Sequence, residues 1–502
     1  MRASRIALIL VALGAVAAVL ISGGNDADPR TPRGIAGRPD PFFGVAVIGN
    51  GGRAGAVDAY GDLVDLRAPG PTGRPLVEVP AARQAAGSVA RDSVRVARVR
   101  AGGEWVPLWR ADSITQRYLP GTNVLVTIAR LGGRRFRLVR AIDGTAGAAA
   151  DRRWIARARP LGRSAPLWAS RLYLRSLLVL RALTNRRSGA VVAGARQGWA
   201  YVWPRDAAAV AIALASAGYR VDARRVVGFL RRLDLEAAAR FDGSGEPVPG
   251  RAAQGDAAGW VRAAAIAAAP GPDERRPPGH GWGSGRPGAA SELPAWRDRS
   301  DYQEKSPGDY LGNVVSTADG SDDQDMVEFR THRGLVRIAG DPSSGLDSTA
   351  AWAVRPFPRP PLFAAARRTM LRLARESGRF GLLPSEDWSG GADPWTAPTA
   401  WTAWSLAVLG ERRAALRLMA ELRRDATPLG MLPERVDART GAPRSTTPLA
   451  WSHAFAILAL RALWPMRAAG GRRGGISSAG AGSAGDDGGR GEDRRGNEGG
   501  RR

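Results

Sequence analysis

The chain of 502 residues contains no cysteine. That excludes disulfides, thiolate metal sites and cysteine nucleophiles. It contains three histidines, His280, His332 and His453, too few and too scattered for a His-based metal centre. Lysine is nearly absent: Lys305 stands alone, so the net charge of +26 is almost entirely arginine. These arginines are spread along the chain. A nucleic-acid binder would cluster them on one stripe, so no nucleic-acid partner is expected. The chain also lacks a P-loop, a dinucleotide fingerprint, H-E-x-x-H and G-x-S-x-G, which removes the usual signatures of nucleotide, zinc-protease and serine-hydrolase chemistry. No cofactor is expected.

What is present changes character along the chain. Residues 1–24, MRASRIALILVALGAVAAVLISGG, join two arginines to an apolar run from Ile6 to Ile21. This is the pattern of a signal peptide or of an uncleaved single membrane anchor. Charge asymmetry then puts Arg2 and Arg5 inside and the remainder of the chain outside the cytoplasm. Residues 25–40 form a Gly/Pro/Asp linker. From 41 to 150, short β-branched runs alternate with Gly, Pro and Asn turns, the spacing of an antiparallel β-sandwich. From 151 to 466 the periodicity becomes helical. Expected helices are Ser164–Thr184, Arg205–Ala217, Asp222–Arg240, Ala253–Ala268, Leu346–Val354, Leu362–Glu376, Thr396–Leu409, Glu411–Arg424 and Thr447–Leu463. Between them, Pro270–Ser344 reads as one irregular stretch rich in Gly, Pro, Asp and Trp. Paired helices with variable loops describe a helical toroid. Residues 467–502 are Gly- and Arg-rich, with almost nothing apolar to bury, and are expected to be disordered.

Two stretches carry the chemistry. In GWAYVWPRD, Gly198–Asp206, the aromatics Trp199, Tyr201 and Trp203 precede an Arg205–Asp206 pair at the head of an Ala-rich helix. Rings of this kind cover the apolar face of a pyranose, and a guanidinium with a carboxylate holds its hydroxyls through charge-assisted hydrogen bonds. The same residues also suit a helix N-cap at Asp206 with core aromatics behind it; Pro204 fits the start of that helix either way. The second stretch, GMLPERVD at Gly430–Asp437, presents Glu434 in a loop between helices. Trp451 and His453 follow on the last helix. His453 reads as structural, or as a partner to a catalytic group.

Four segments, VAVIGNGGRAGAVDAYGDLVDL, ITQRYLPGTNVLVT, GAVVAGARQGWAYVWPRDAAAVAIALASAGY and GMLPERVDARTGAPRSTTPLAWSHAFAILAL, occur in the order found in glycoside hydrolase family 15, and the chain resembles that glucoamylase-like family over roughly Pro41–Leu463. The resemblance implies an N-terminal β-sandwich followed by an (α/α)6 helical toroid. It implies an exo-acting, inverting attack on a terminal α-glucosidic bond of a glucan or a glucosyl disaccharide, with trehalose and dextran-type substrates as alternatives. It assigns Arg205 and Asp206, with Tyr201 and Trp203 beside them, to the terminal sugar. Trp199, Trp388 and Trp451 are candidate lining residues. Glu434 falls on the general base. Inversion needs a second carboxyl about 6.5–9.5 Å from it. That general acid is Glu304, in SDYQEKSPGDYLGN, or Glu386, in GLLPSEDWSGG. The helical stretches are fewer than the toroid requires, so the toroid is abridged or part of Gly308–Ser344 is helical. The acidic run Asp319–Glu328 could hold Ca2+ through oxygen ligands, though it lacks EF-hand spacing. A reading of another class is a glycan-binding envelope protein that kept the aromatic floor and lost the acid.

Overall fold

The computed structural model describes residues 45–78, 96–196, 198–270, 310–317 and 326–466. The apolar N-terminal run, Glu304, most of the Asp319–Glu328 cluster and the Gly/Arg-rich tail lie outside the described residues. Among the described residues no helix is long and apolar enough to cross a membrane.

The N-terminal part is β-rich and antiparallel throughout. Strands β1 (Ala46–Gly49), β2 (Ala54–Val57), β3 (Leu63–Ala68) and β4 (Arg74–Glu78) form one meander. Strands β5 (Arg98–Ala101) and β6 (Glu104–Pro107) form a hairpin, and β7 (Ser113–Tyr118), β8 (Leu125–Leu131) and β9 (Arg134–Arg140) a second meander. Two of the connections are Gly-Gly pairs, Gly102–Gly103 and Gly132–Gly133, all four at positive φ. Such turns match the right-handed twist of the strands they join, and glycine reaches them without strain. Ala46, Ile48, Val57 and Leu63 of the first meander bury against Leu125 and Tyr118 of the second.

Helices α1 (Gly144–Ile155), α2 (Leu167–Leu183), α3 (Pro204–Ser216), α4 (Arg220–Leu230), α5 (Ala257–Ala268), α6 (Leu311–Thr317), α7 (Phe363–Glu376), α8 (Thr396–Val408), α9 (Arg412–Asp425) and α10 (Ala450–Leu463) follow. Helices α3, α8 and α10 are buried nearly all round, as their Ala, Ile, Leu and Trp content demands. Helices α7 and α9 present arginines to solvent and an apolar stripe inward. The buried helices pack side by side in the order α5, α3, α10, α8, with α2 also against α10. The alanines of α3 and α10 let these axes approach closely.

The structure departs from the sequence expectations in four places. Helix α1 begins at Gly144, before the expected boundary at 150/151. The Asp222–Arg240 pattern stops as a helix at Leu230. Leu346–Val354 is the end of a strand followed by a 3-10 turn, Ser348–Ala353, capped by the Asp347 carboxylate on the Thr349 N–H. The stretch read as irregular contains α6 and a hairpin of β10 (Val336–Ile338) and β11 (Asp341–Leu346). Short elements of this size leave little periodicity to read.

The β-rich part grips the helical part near the loop that matters. Asn123, in the β7–β8 turn, donates to the Gly49 and Leu178 carbonyls and accepts from Arg175 of α2. In the β2–β3 turn, burial and the neighbouring Asp62 push the Asp58 carboxyl well above the usual range, and the positive charge of the buried Arg196 opposes the shift. Arg196 is at the tip of the loop leading to α3.

Candidate active site

That loop folds back on itself. The Ala193 N–H donates to the Tyr201 carbonyl at 3.0 Å and the Gly194 N–H to the Trp199 carbonyl at 2.9 Å. Val202 then pairs with Phe241 through two hydrogen bonds of 2.8 Å. The chain enters α3 through Pro204, whose fixed φ suits a first turn. Arg205 and Asp206 therefore point from a rigid helix start, and both are buried.

Arg205 is the hub. Its Nε lies 3.3 Å from Asp206 Oδ1 and its Nη1 3.4 Å from Asp256 Oδ2. Its guanidinium lies 4.2 Å from the centroid of the Trp451 ring, a cation–π contact at the start of α10. Beneath this floor the rings of Trp451 and Trp401 meet at 5.0 Å, Trp401 and Trp352 at 5.4 Å, and Trp352 and Trp260 at 5.1 Å. Trp260, Trp352 and Trp401 are fully buried, so this column backs the site with packed rings. Tyr201 and Trp203 pack edge-on at 6.4 Å with Arg240 against both faces. Trp203 is buried; Tyr201 and Trp199 are half-buried.

Glu434 stands against this floor. Its loop is held from three sides: Thr396 at the head of α8 donates its N–H to the Glu434 carbonyl at 3.1 Å, the Glu434 N–H donates to the Thr446 carbonyl at 2.9 Å, and the Leu432 N–H donates to His453 Nε2 at 3.0 Å. The two loops touch where Gly194 meets Thr446. A Cβ on Gly194 would lie 2.4 Å from Thr446 Oγ1, so only glycine fits there. The Ser445 hydroxyl donates to Glu434 Oε2. Burial raises the Glu434 carboxyl above its ordinary value; the Ser445 hydrogen bond and the charges of Arg435, Arg251 and Arg205 only partly oppose it. A desolvated carboxylate of this kind is a stronger base than one in water.

Asp206 is pushed up to about 6, chiefly by burial; Arg205 opposes this, while Asp256 and Glu434 add to it. The folded state thus takes up a proton on Asp206 that the unfolded chain, with an ordinary value of 3.8, has released. Its stabilising effect is full below pH 4 and is lost as pH rises through 6. The shift corresponds to about 3 kcal/mol. Asp206→Asn is expected to flatten the fall in stability between pH 4 and 6. Urea unfolding of both proteins across that range checks this, and equal slopes would refute it. Part of the slope remains in the variant, because Asp347 is also raised by burial.

A narrow cleft opens beside the floor, lined by Asp256, Tyr310, Arg337, Asp347, Trp388 and Trp401. It has about 30 Å³ of free space, room for about two waters. Trp388 and Trp451 thus belong to the same neighbourhood, Trp451 through Arg205 and Trp401. Glu386 is placed differently. Its oxygens accept from Arg333 Nη2 at 2.9 Å and from the Leu346 N–H at 2.9 Å, with Arg372 Nε at 3.7 Å. It borders a separate open groove with Arg379 and Phe380. A general acid must present a proton to the leaving oxygen, whereas this carboxylate is occupied as an acceptor. Among the described residues no group of three or more His, Cys, Asp or Glu could hold a metal ion.

Sequence reasoning missed Asp256, Asp347 and Ser445. Asp256 and Asp347 look like ordinary helix or turn starts in QGDAAGW and GLDSTA, and Ser445 lies in a Ser/Thr run without periodicity. Nothing local marks them as facing the site.

Residues 168–240 match the family model for glycosyl hydrolases family 15. No curated protein matches the chain. Among solved structures, a wild-type glycosidase is similar at 20% identity with a TM-score of 0.43, covering 59% of this chain and 97% of that one. A bacterial glucoamylase complexed with acarbose is similar at 15% identity and a TM-score of 0.46, over 64% of this chain and 58% of that one. Glucoamylase from Saccharomycopsis fibuligera is similar at 13% identity and a TM-score of 0.42, over 61% and 96%. The matched stretch runs from α2 through the aromatic loop and the buried Arg205–Asp206 pair to Arg240, and on it the chain's resemblance to glycoside hydrolase family 15 stands.

Proposed function

We propose that this protein is a glycoside hydrolase that removes a terminal glucosyl unit from the non-reducing end of an α-glucan or a glucosyl disaccharide, with inversion. The observation that carries the reading is the buried Glu434 carboxylate, raised by desolvation, beside the Arg205–Asp206–Trp451 floor. In this reading Arg205 and Asp206 hold hydroxyls of the terminal sugar and Trp451 lines its pocket. Glu434 takes a proton from a water as that water attacks the anomeric carbon. The glycosidic oxygen leaves with a proton from an acid across the ring. Glu304 is our candidate for that acid, because Glu386 is engaged by Arg333 and the Leu346 N–H. The architecture we read is a β-sandwich followed by an (α/α)6-type toroid.

The reading is tested by offering the protein maltooligosaccharides, dextran and trehalose separately and following free glucose. Release from at least one, one unit at a time, is the expected outcome. Binding without turnover on all three would favour a glycan-binding protein instead.

A further inference from the structure

The Leu432–Glu434 backbone is satisfied by a small set of partners. The Leu432 carbonyl accepts from the Leu449 N–H at 2.9 Å, and the Glu434 N–H and carbonyl are met by backbone groups of Thr446 and Thr396. Two side chains, Thr396 and His453, add to these, and Thr396 Oγ1 also lies 3.4 Å from the Glu434 carbonyl. Thr396 Oγ1 donates to the Pro433 carbonyl, and His453 Nε2 accepts from the Leu432 N–H at 3.0 Å. Thr396 Oγ1 is also bonded to Ser452 Oγ at 2.6 Å, so both clamps are anchored on the first turn of α10.

We propose that His453 is a positioning residue for Glu434: a fully buried, uncharged imidazole that fixes the base-bearing loop by accepting the Leu432 N–H. The inference rests on reading Glu434 as the general base. A backbone N–H can only donate, so Nε2 must carry a lone pair. The ring proton is then on Nδ1, which lies 2.9 Å from Ser176 Oγ of α2 and donates to it. One side chain thus joins α2, α10 and the catalytic loop with a fixed tautomer. Burial, helped by the positive charge of Arg175, lowers its pKa to about 3, so the acceptor survives at any pH where a carboxylate base works. Arg175 is itself tied to the Thr122 carbonyl and Asn123 of the β-rich part and stacks 3.7 Å over Tyr118. The loop is therefore braced through α2 onto the β7–β8 turn.

Removing the acceptor leaves a buried N–H unsatisfied two residues before Glu434. The loop must then move to find a partner, and a displacement near 1 Å costs about 100-fold in rate. Arg205 is held by Asp206, Asp256 and Trp451, so sugar binding is expected to persist.

Three measurements on the full chain test this. In the wild type, imidazole nitrogen NMR is expected to show His453 neutral with the proton on Nδ1; a proton on Nε2 overturns the proposal without any variant. His453→Met is expected to lower kcat about 100-fold with KM within about threefold, and to remove the hydrogen-exchange protection of the Leu432 amide. His453→Gln, which keeps an acceptor, is expected to restore that protection and at least tenfold of the kcat. Unchanged kcat in His453→Met, or Leu432 protection retained in His453→Met, overturns it. If the wild type turns over no glucoside, the general-base reading fails, while the Leu432 protection still reports on the tie itself.

Discussion

Glu434→Gln is expected to lower kcat for glucoside hydrolysis by about 100- to 10,000-fold, the range for loss of a general base, with KM little changed. The amide is isosteric and its oxygen can still accept the Ser445 hydroxyl, so the loop contacts through Thr396, Thr446 and His453 remain. Stability gives an independent readout. The Glu434 carboxyl is raised by burial, so its ionised form costs the folded state stability at neutral pH. Glu434→Gln should therefore be at least as stable as the wild type at pH 7. Steady-state kinetics beside urea unfolding check both parts. A fully active Glu434→Gln protein, or one that loses activity only by unfolding, would contradict the assignment.

Arg205→Met is expected to act in the opposite sense on stability. Arg205 is 8% exposed and stands between the carboxylates of Asp206 and Asp256, themselves buried. Methionine fills much of the volume and keeps contact with Trp451 but leaves two buried carboxylates without that cation. Breaking a buried pair in this way costs about 3–5 kcal/mol. The loss should be smaller at pH 5 than at pH 7, because Asp206 is already pushed up to about 6 and rises further without Arg205. Sugar affinity should fall as well, by about 10- to 100-fold, the worth of a charge-assisted hydrogen bond. Denaturant unfolding at the two pH values and a tryptophan-fluorescence titration with glucose measure these effects. Wild-type stability at pH 7 would mean that Arg205 is not the counter-charge of this cluster.

The sequence was informative where composition and periodicity speak together. The change from β-branched runs to helical patterns is real, and α2, α3, α5, α7, α8, α9 and α10 lie within or close to their expected spans. The GWAYVWPRD stretch was legible because three rings and an Arg–Asp pair are crowded into nine residues. The structure brings four of the singled-out residues, Arg205, Asp206, Trp451 and Glu434, into one cluster although the last two are more than 200 positions away. What could not be read was the supporting chemistry. Asp256 reaches Arg205 only because α5 packs against α3. His453 matters because its ring meets a backbone N–H twenty-one residues earlier. Glu386 shows the converse: its neighbours Trp388 and Trp395 give it the look of a site residue, yet Arg333, distant in sequence, claims its carboxylate. Tertiary partners, which no local pattern encodes, set each of these placements.

The central claim is that Glu434 activates a water on the face of the sugar opposite the leaving group. The most direct measurement is the anomeric form of the first glucose released from an α-linked maltooligosaccharide, followed by proton NMR before mutarotation, for the wild type and Glu434→Gln side by side. The account predicts β-glucose from the wild type and almost none from the variant. α-Glucose as the first product, or β-glucose at an undiminished rate from Glu434→Gln, would contradict it.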